Sequence, residues 1–166
     1  TKETLIDGWL HTGDIGEFDA DGYLKITDRK KDIIVNSGGE NIAPQRIEGL
    51  LVADEEIDQV VIYGDQKPYL VALVIPNPET CKLWATQQGL PESSWDQLCD
   101  SPILKKHLQA TISTILKPLN PFEQVRRIHL LHAPFTIESG LMTPTMKIKR
   151  RKVYEQYCEI LESLYS

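Results

Sequence analysis

The sequence predicts an α+β protein, a small mixed β-sheet packed with helices and preceded by a β-hairpin. Three observations predict it. Apolar, β-branched runs at 57–63 and 69–75 are separated only by Gly64-Asp65-Gln66-Lys67-Pro68, which reads as a strand pair. Residues 102–117 carry Ile103, Leu104, His107, Leu108, Ile112, Ile115 and Leu116 at helical spacing. A further strand-like run at 125–131 follows that helix, so strands and helices mix within one unit.

The remaining elements follow in order. Alternating apolar residues at 9–18 and 22–27 flank Asp19-Ala20-Asp21-Gly22, the pattern of a hairpin. Ile33-Ile34-Val35 reads as a short buried strand, Ser37-Gly38-Gly39 as a turn, and Glu40-Asn41-Ile42 as a return strand. Pro44 suits the first turn of a helix, with Ile47, Leu50, Leu51 and, as a further candidate, Ile57 as its apolar face. A helix is expected over 78–88 and a loop over 89–95. One final helix should carry Val153, Tyr157, Ile160 and Leu164. The self-contained α+β domain begins near Lys31. Residues 1–30 are too few to hold a core and read as the tail of another domain.

Composition narrows the function. At 166 residues, 41% hydrophobic and 25% charged, the chain holds one core, at most one and a half. A net charge of −6 argues against nucleic acid as a partner, since that needs a broad basic surface. Cys81, Cys99 and Cys158 are odd in number and widely spaced, fitting neither a disulfide framework nor a zinc site; a reducing, cytoplasmic compartment is expected. No transmembrane segment is present in the sequence, so any membrane association would be peripheral. The first residues, 1–7, lack the apolar stretch of a signal peptide and an initiator methionine, and a piece of a longer protein is expected.

Two stretches carry unusual chemistry. Asp28 to Glu40 places cations beside Gly38-Gly39, where backbone can take φ > 0 or approach a ligand closely. Pro144 to Arg150 places a lysine cluster at the start of the last helix, against its dipole, at about 0.3–1 kcal/mol per exposed charge. Taken residue by residue, each candidate has two readings. Asp14, in Thr12-Gly13-Asp14, is an acceptor for two vicinal ribose hydroxyls or a solvated carboxylate at a β-bulge. Arg29 is a fork for ribose or phosphate oxygens or a surface partner of Asp28 or Asp32. Lys147, in a proline-punctuated loop, delivers charge to a phosphate or belongs to a solvated basic turn. Residues 17–28 approach a calcium loop, but Glu stands at position one, Asp at position twelve, and the neighbours alternate like strands. His129 and His132 should point to opposite faces of a strand, and His107 should pack half-buried on its helix, so no metal site is expected. Neither a G-x-x-x-x-G-K-[ST] loop nor G-x-G-x-x-G is present.

Together the segments resemble the adenylate-forming enzymes, specifically the acyl-CoA synthetases. Trp9-Leu10-His11-Thr12-Gly13-Asp14 is similar to their W-x-x-T-G-D motif, and Gly22-Tyr23-Leu24 through Asp32 to their hinge motif. Ser37-Gly38-Gly39-Glu40-Asn41-Ile42, with Pro44, Ile47 and Glu48, resembles S-G-G-E-N-I-x-P-x-x-I-E. Pro144-Thr145-Met146-Lys147 resembles the C-terminal lysine motif, with Met146 where the family usually has glycine. The Lys147-Ile148-Lys149-Arg150 context and the long 76–126 stretch resemble the long-chain fatty acyl branch.

The resemblance implies a two-step ligase using ATP with Mg2+, whose ligands lie outside this chain, and then coenzyme A. Asp14 and Arg29 would hold the AMP ribose, Lys31 would be the hinge, and Lys147 would be catalytic in adenylation. Ser37, Gly38 and Gly39 would line the coenzyme A channel. Residues 1–30 would end a large N-terminal AMP-binding domain, and 31–166 would form a mobile C-terminal domain. The partners implied are that N-terminal domain, a fatty acid, ATP and coenzyme A; the chain alone should be inactive. An enzyme loading a carrier protein, or a non-catalytic binding module of the same fold, are the alternatives.

Overall fold

Side chains that alternate between two cores along a central strand set the layers. The computed structural model describes residues 5–6, 8–91 and 93–166, except for the side chains of Ile6, Thr27 and Asp28. The sequence readings at 1–4, Asp7 and Glu92 lie outside the described residues. Strands β7 (Ile57–Tyr63), β8 (Leu70–Pro76) and β9 (Val125–Leu130) form one mixed sheet with β8 in the centre. β7 pairs antiparallel to β8, and β9 pairs parallel to it. Every residue of β8 is buried. Leu70, Ala72 and Val74 join the core on one face, and Val71, Leu73 and Ile75 the core on the other. A strand covered on both faces has no polar side to show, hence its unbroken apolar run.

The first core is closed by α1 (Pro44–Leu51), α2 (Pro78–Gln87), α3 (Trp95–Cys99) and α4 (Pro102–Leu116). In α4 the residues Leu104, Leu108, Ile112 and Leu116, four apart, are wholly buried. Ile103 is half exposed, and His107 stacks on Trp84 with ring centroids 4.0 Å apart, the half-buried packing role expected of it. In α1, Ile47 and Leu51 are buried, but Leu50 is exposed, and Ile57 lies beyond the helix at the start of β7. The second core packs under α5 (Arg150–Gln156) and α6 (Cys158–Ser163).

Three elements differ from the sequence expectation, the first being the 9–18 arm, which is split: Trp9–Leu10 pairs with Leu5–Ile6, and only Asp14–Phe18 pairs with Leu24–Arg29. The loop after α2 ends at Ser94, where a capping box opens α3: Ser94 Oγ accepts from Gln97 N, and the Gln97 side chain accepts from Ser94 N. The single final helix is two, because Tyr157 leaves helical geometry at φ −108° and ψ 19°.

Ahead of this domain, β1 (Leu5–Ile6) pairs with β2 (Trp9–Leu10), and β3 (Asp14–Phe18) pairs antiparallel with β4 (Leu24–Arg29). Asp19 Oδ1 accepts from the amides of Asp21 and Tyr23, so this carboxylate shapes the hairpin turn. β5 (Ile34–Val35) and β6 (Asn41–Ile42) form the small ribbon that carries the glycine turn.

Candidate active site

The β3–β4 register sets Asp14 directly opposite Arg29, with Nε 3.2 Å from Oδ1. Both side chains are partly exposed, so the pair adds at most about 1 kcal/mol to stability. It leaves a carboxylate and a guanidinium side by side at the open end of the hairpin. A ladder irregularity lies between Ile15 and Gly16, close to the bulge considered for Asp14. Of the surface partners considered for Arg29, the Asp28 side chain lies outside the described residues, while Asp32 accepts from Gln45 Nε2 at 3.3 Å. Beyond Arg29 the chain turns through Lys30 and Lys31; Lys30 N donates to Gly13 O, and Asp32 N donates to Arg29 O. Lys31 is exposed in that turn.

Lys147 stands at the closing position of a second tight hairpin. Met142 bridges Ile148, and Thr143 N donates to Lys147 O at 2.8 Å. Lys147 N donates in turn to Thr143 Oγ1 at 3.0 Å. Met146 N donates to Thr143 O at 2.9 Å, closing a four-residue turn with Pro144 in its second place. Met146 then takes φ +60°, the left-handed residue that completes a three-residue hairpin loop. The position where the resembled family has glycine is therefore one whose backbone favours glycine.

The root of this hairpin is half-buried. Glu48, on α1, accepts from Arg150 Nη1 at 2.6 Å and Nη2 at 2.7 Å, a bidentate pair with both side chains 15% exposed. Its Oε1 also accepts from Ile62 N at 2.8 Å. Arg150 Nη1 and Tyr154 Oη both donate to Ile62 O. Burial works against the guanidinium charge, but the hydrogen bonds and charge of Glu48 outweigh it, so Arg150 holds its proton more tightly than usual. Burial pushes the Tyr154 hydroxyl up to about 12. Glu48 and Arg150 are the residues that reading the sequence missed as site residues. Their signal was the two signature stretches themselves, Ile47-Glu48 and Lys147 to Arg150.

A cleft of about 940 Å³ brings Arg29, Lys31, Gln45, Glu48 and Lys147 together, and its lining carries more cations than carboxylates. Such a surface suits a polyanion such as a nucleotide phosphate chain. Ser37, Gly38 and Gly39 are not part of it. Their turn is shaped by Asn36 Oδ1, which accepts from Gly38 N at 3.0 Å and Glu40 N at 2.9 Å, while Gly39 takes φ +82°. It docks on the β7–β8 connection, where Ser37 N donates to Lys67 O and Val35 N to Asp65 Oδ1.

No group of three or more His, Cys, Asp or Glu side chains able to hold a metal ion occurs among the described residues. His107 instead sits 2.8 Å from Glu56, and His132, beyond the end of β9, lies between Asp96 and Asp100. No helix among the described residues is long and apolar enough to cross a membrane.

The chain is similar to known proteins along its length. Long-chain-fatty-acid–CoA ligase 6 of Rattus norvegicus is 42% identical over 170 residues, covering 100% of this chain and 24% of that protein. Long-chain-fatty-acid–CoA ligase FadD15 of Mycobacterium tuberculosis is 38% identical over 167 residues, covering 100% of this chain and 28% of its own length. The chain thus spans about a quarter of the relatives it matches. The adenylation domain of a carboxylate reductase from Mycobacterium chelonae superposes with a TM-score of 0.82 at 29% identity, over 99% of this chain and 24% of that one. Residues 31–166 match the family described as the AMP-binding enzyme C-terminal domain, and the chain belongs to that family.

Proposed function

We propose that this chain is the C-terminal part of an ATP-dependent acyl-CoA synthetase acting on long-chain fatty acids. The observation that carries the reading is the shared cleft of Arg29 and Lys147, with Asp14, which does not itself line the cleft, paired to Arg29. In the first step a carboxylate oxygen bonds to the α-phosphorus of Mg-ATP, and pyrophosphate leaves with the electron pair of the broken bond. Asp14 and Arg29 hold the ribose of the nucleotide. Lys147 places its ammonium between carboxylate and α-phosphate oxygens, where negative charge builds during transfer. In the second step the thiol sulfur of coenzyme A bonds to the acyl carbon, its proton passes to solvent, and AMP leaves.

Lys147 and the glycine turn belong to different surfaces of one domain, which fits a domain that presents them in turn. Residues 31–166 rotate about Lys31, so that Lys147 serves adenylation and Ser37-Gly38-Gly39 lines the pantetheine channel. The large domain that precedes residue 31 supplies the phosphate loop, the Mg2+ ligands and the acyl pocket. Exposed Trp9, Phe18, Tyr23 and Leu24 on the N-terminal ribbons are the apolar surface that it covers. A second acceptor is favoured by one likeness: an adenylation and carrier-protein didomain of a carboxylic acid reductase matches with TM-score 0.82 at 29% identity. Free coenzyme A and a carrier protein, compared as acceptors in one thioester assay, separate the two.

The test is Lys147→Ala in the parent protein with the half-reactions read separately. ATP–pyrophosphate exchange should fall by at least about 10²-fold, as for loss of a transition-state donor. Thioester formation from preformed acyl-adenylate should stay near wild type. Equal loss of both would make Lys147 a structural residue.

A further inference from the structure

We infer that Glu48 and Arg150 form a positioning clamp that fixes the Lys147 hairpin for the adenylation step, an inference resting on the role proposed for Lys147. Lys147 itself is exposed on a loop, and a long lysine side chain there has much rotamer freedom to lose. Its precision must come from the backbone beneath it. On the N-terminal side, Leu141 and Met142 are buried in the second core; on the C-terminal side, Ile148 packs against the same core. Lys149 N donates to Leu141 O at 2.7 Å, which closes the base of the hairpin.

These contacts set the height of the hairpin but not its lateral place over the cleft. That falls to Arg150, three residues beyond Lys147. Its planar fork binds both oxygens of Glu48, and one of those oxygens also binds Ile62 N. A bidentate pair fixes both distance and plane, which a single lysine contact cannot. Tyr154 completes the arrangement, sharing Ile62 O with Arg150 and lying 3.4 Å from its Nη1. Helix α1, strand β7 and the start of α5 thereby meet at one half-buried point, with Glu48 and Lys147 lining the same cleft. The clamp also explains how a cation is tolerated at the first position of α5: its charge is matched by Glu48 across the domain.

A clamp of this kind predicts a specific kinetic signature. Arg150→Lys keeps the charge and loses the fork, and Glu48→Gln keeps the shape and loses the charge. In the parent protein, each should lower the rate of ATP–pyrophosphate exchange at saturating substrate by about 10–100-fold, the effect of supporting residues or of a misplacement near 1 Å. The KM for ATP and thioester formation from preformed acyl-adenylate should stay within about threefold, because Lys147 takes no part in the second step. The double variant should be no worse than the poorer single one, since the two residues act as a unit. Tyr154→Phe, a milder change, should slow exchange several-fold and serves where the clamp variants do not fold. Equal loss in both half-reactions, or wild-type exchange in folded Arg150→Lys and Tyr154→Phe, would overturn the clamp alone. Unimpaired exchange in Lys147→Ala, measured alongside, would overturn both the clamp and the reading on which it rests.

Discussion

Met146 occupies a left-handed backbone conformation that an L side chain enters at a cost of about 1–2 kcal/mol. Its side chain is 68% exposed, so little packing offsets that cost. Met146→Gly removes the strain but adds freedom to the unfolded chain, which returns about 0.5–1 kcal/mol. The expected net effect is stabilisation of up to about 1 kcal/mol in a denaturant titration of the chain, with Met146→Val shifting the midpoint the other way. Glycine here would also widen the conformations open to Lys147, so the more stable variant should be the slower one in adenylation. The motif made Met146 conspicuous in the sequence, but its φ was not legible there. That angle follows from the three-residue loop length, which depends on Thr143 pairing with Lys147. Asp14 and Arg29 were more readily found: two strands joined by a short turn bring residues at their far ends opposite one another.

At the scale of elements, local signals were sufficient wherever a single stripe or alternation dominated. Strand β8 and helix α4 were legible because each buries a regular set of side chains. Helix α3 has only five residues, so it lacks a stripe, and its capping box is the one local mark of its start. The break at Tyr157 was hidden because Val153, Tyr157, Ile160 and Leu164 keep helical spacing across it. The glycine turn joins both kinds of information. Its residue types signal a turn, but its shape depends on Asn36 and on the distant Asp65 and Lys67. Asn36→Ala removes the acceptor for two backbone amides and should cost about 1–2 kcal/mol, seen as a lower denaturant midpoint. In the parent protein it should slow thioester formation from preformed acyl-adenylate while leaving pyrophosphate exchange near wild type. The reverse pattern would remove this turn from the coenzyme A channel.

For the whole molecule, the core beneath α1 and α4 can be read through its two buried thiols. Burial, reinforced by neighbouring carboxylates, pushes Cys81 up to about 12 and Cys99 up to about 11, whereas Cys158 is exposed. In the unfolded chain a cysteine titrates near 8.5. As pH rises past that value the unfolded chain loses these two protons while the folded chain keeps them, so fewer protons are bound unfolded than folded and stability falls. Their contribution is fully present below about pH 8.5 and declines toward the folded values, by about 1.4 kcal/mol per pH unit for each thiol. Tyr154 follows the same sign only above its unfolded value near 10. Urea unfolding of the chain between about pH 8.5 and 10 should therefore show a progressive loss of stability, with a shallower slope in Cys81→Ala. A thiol reagent at pH 8 should modify Cys158 in the native protein and reach Cys81 and Cys99 only on unfolding. Because Cys81 and Cys99 both belong to the core beneath α1 and α4, their simultaneous exposure would report that core opening as one unit. Earlier exposure of Cys99, which ends the short helix α3, would locate a weaker edge there and confine cooperative stability to the sheet with α1, α2 and α4.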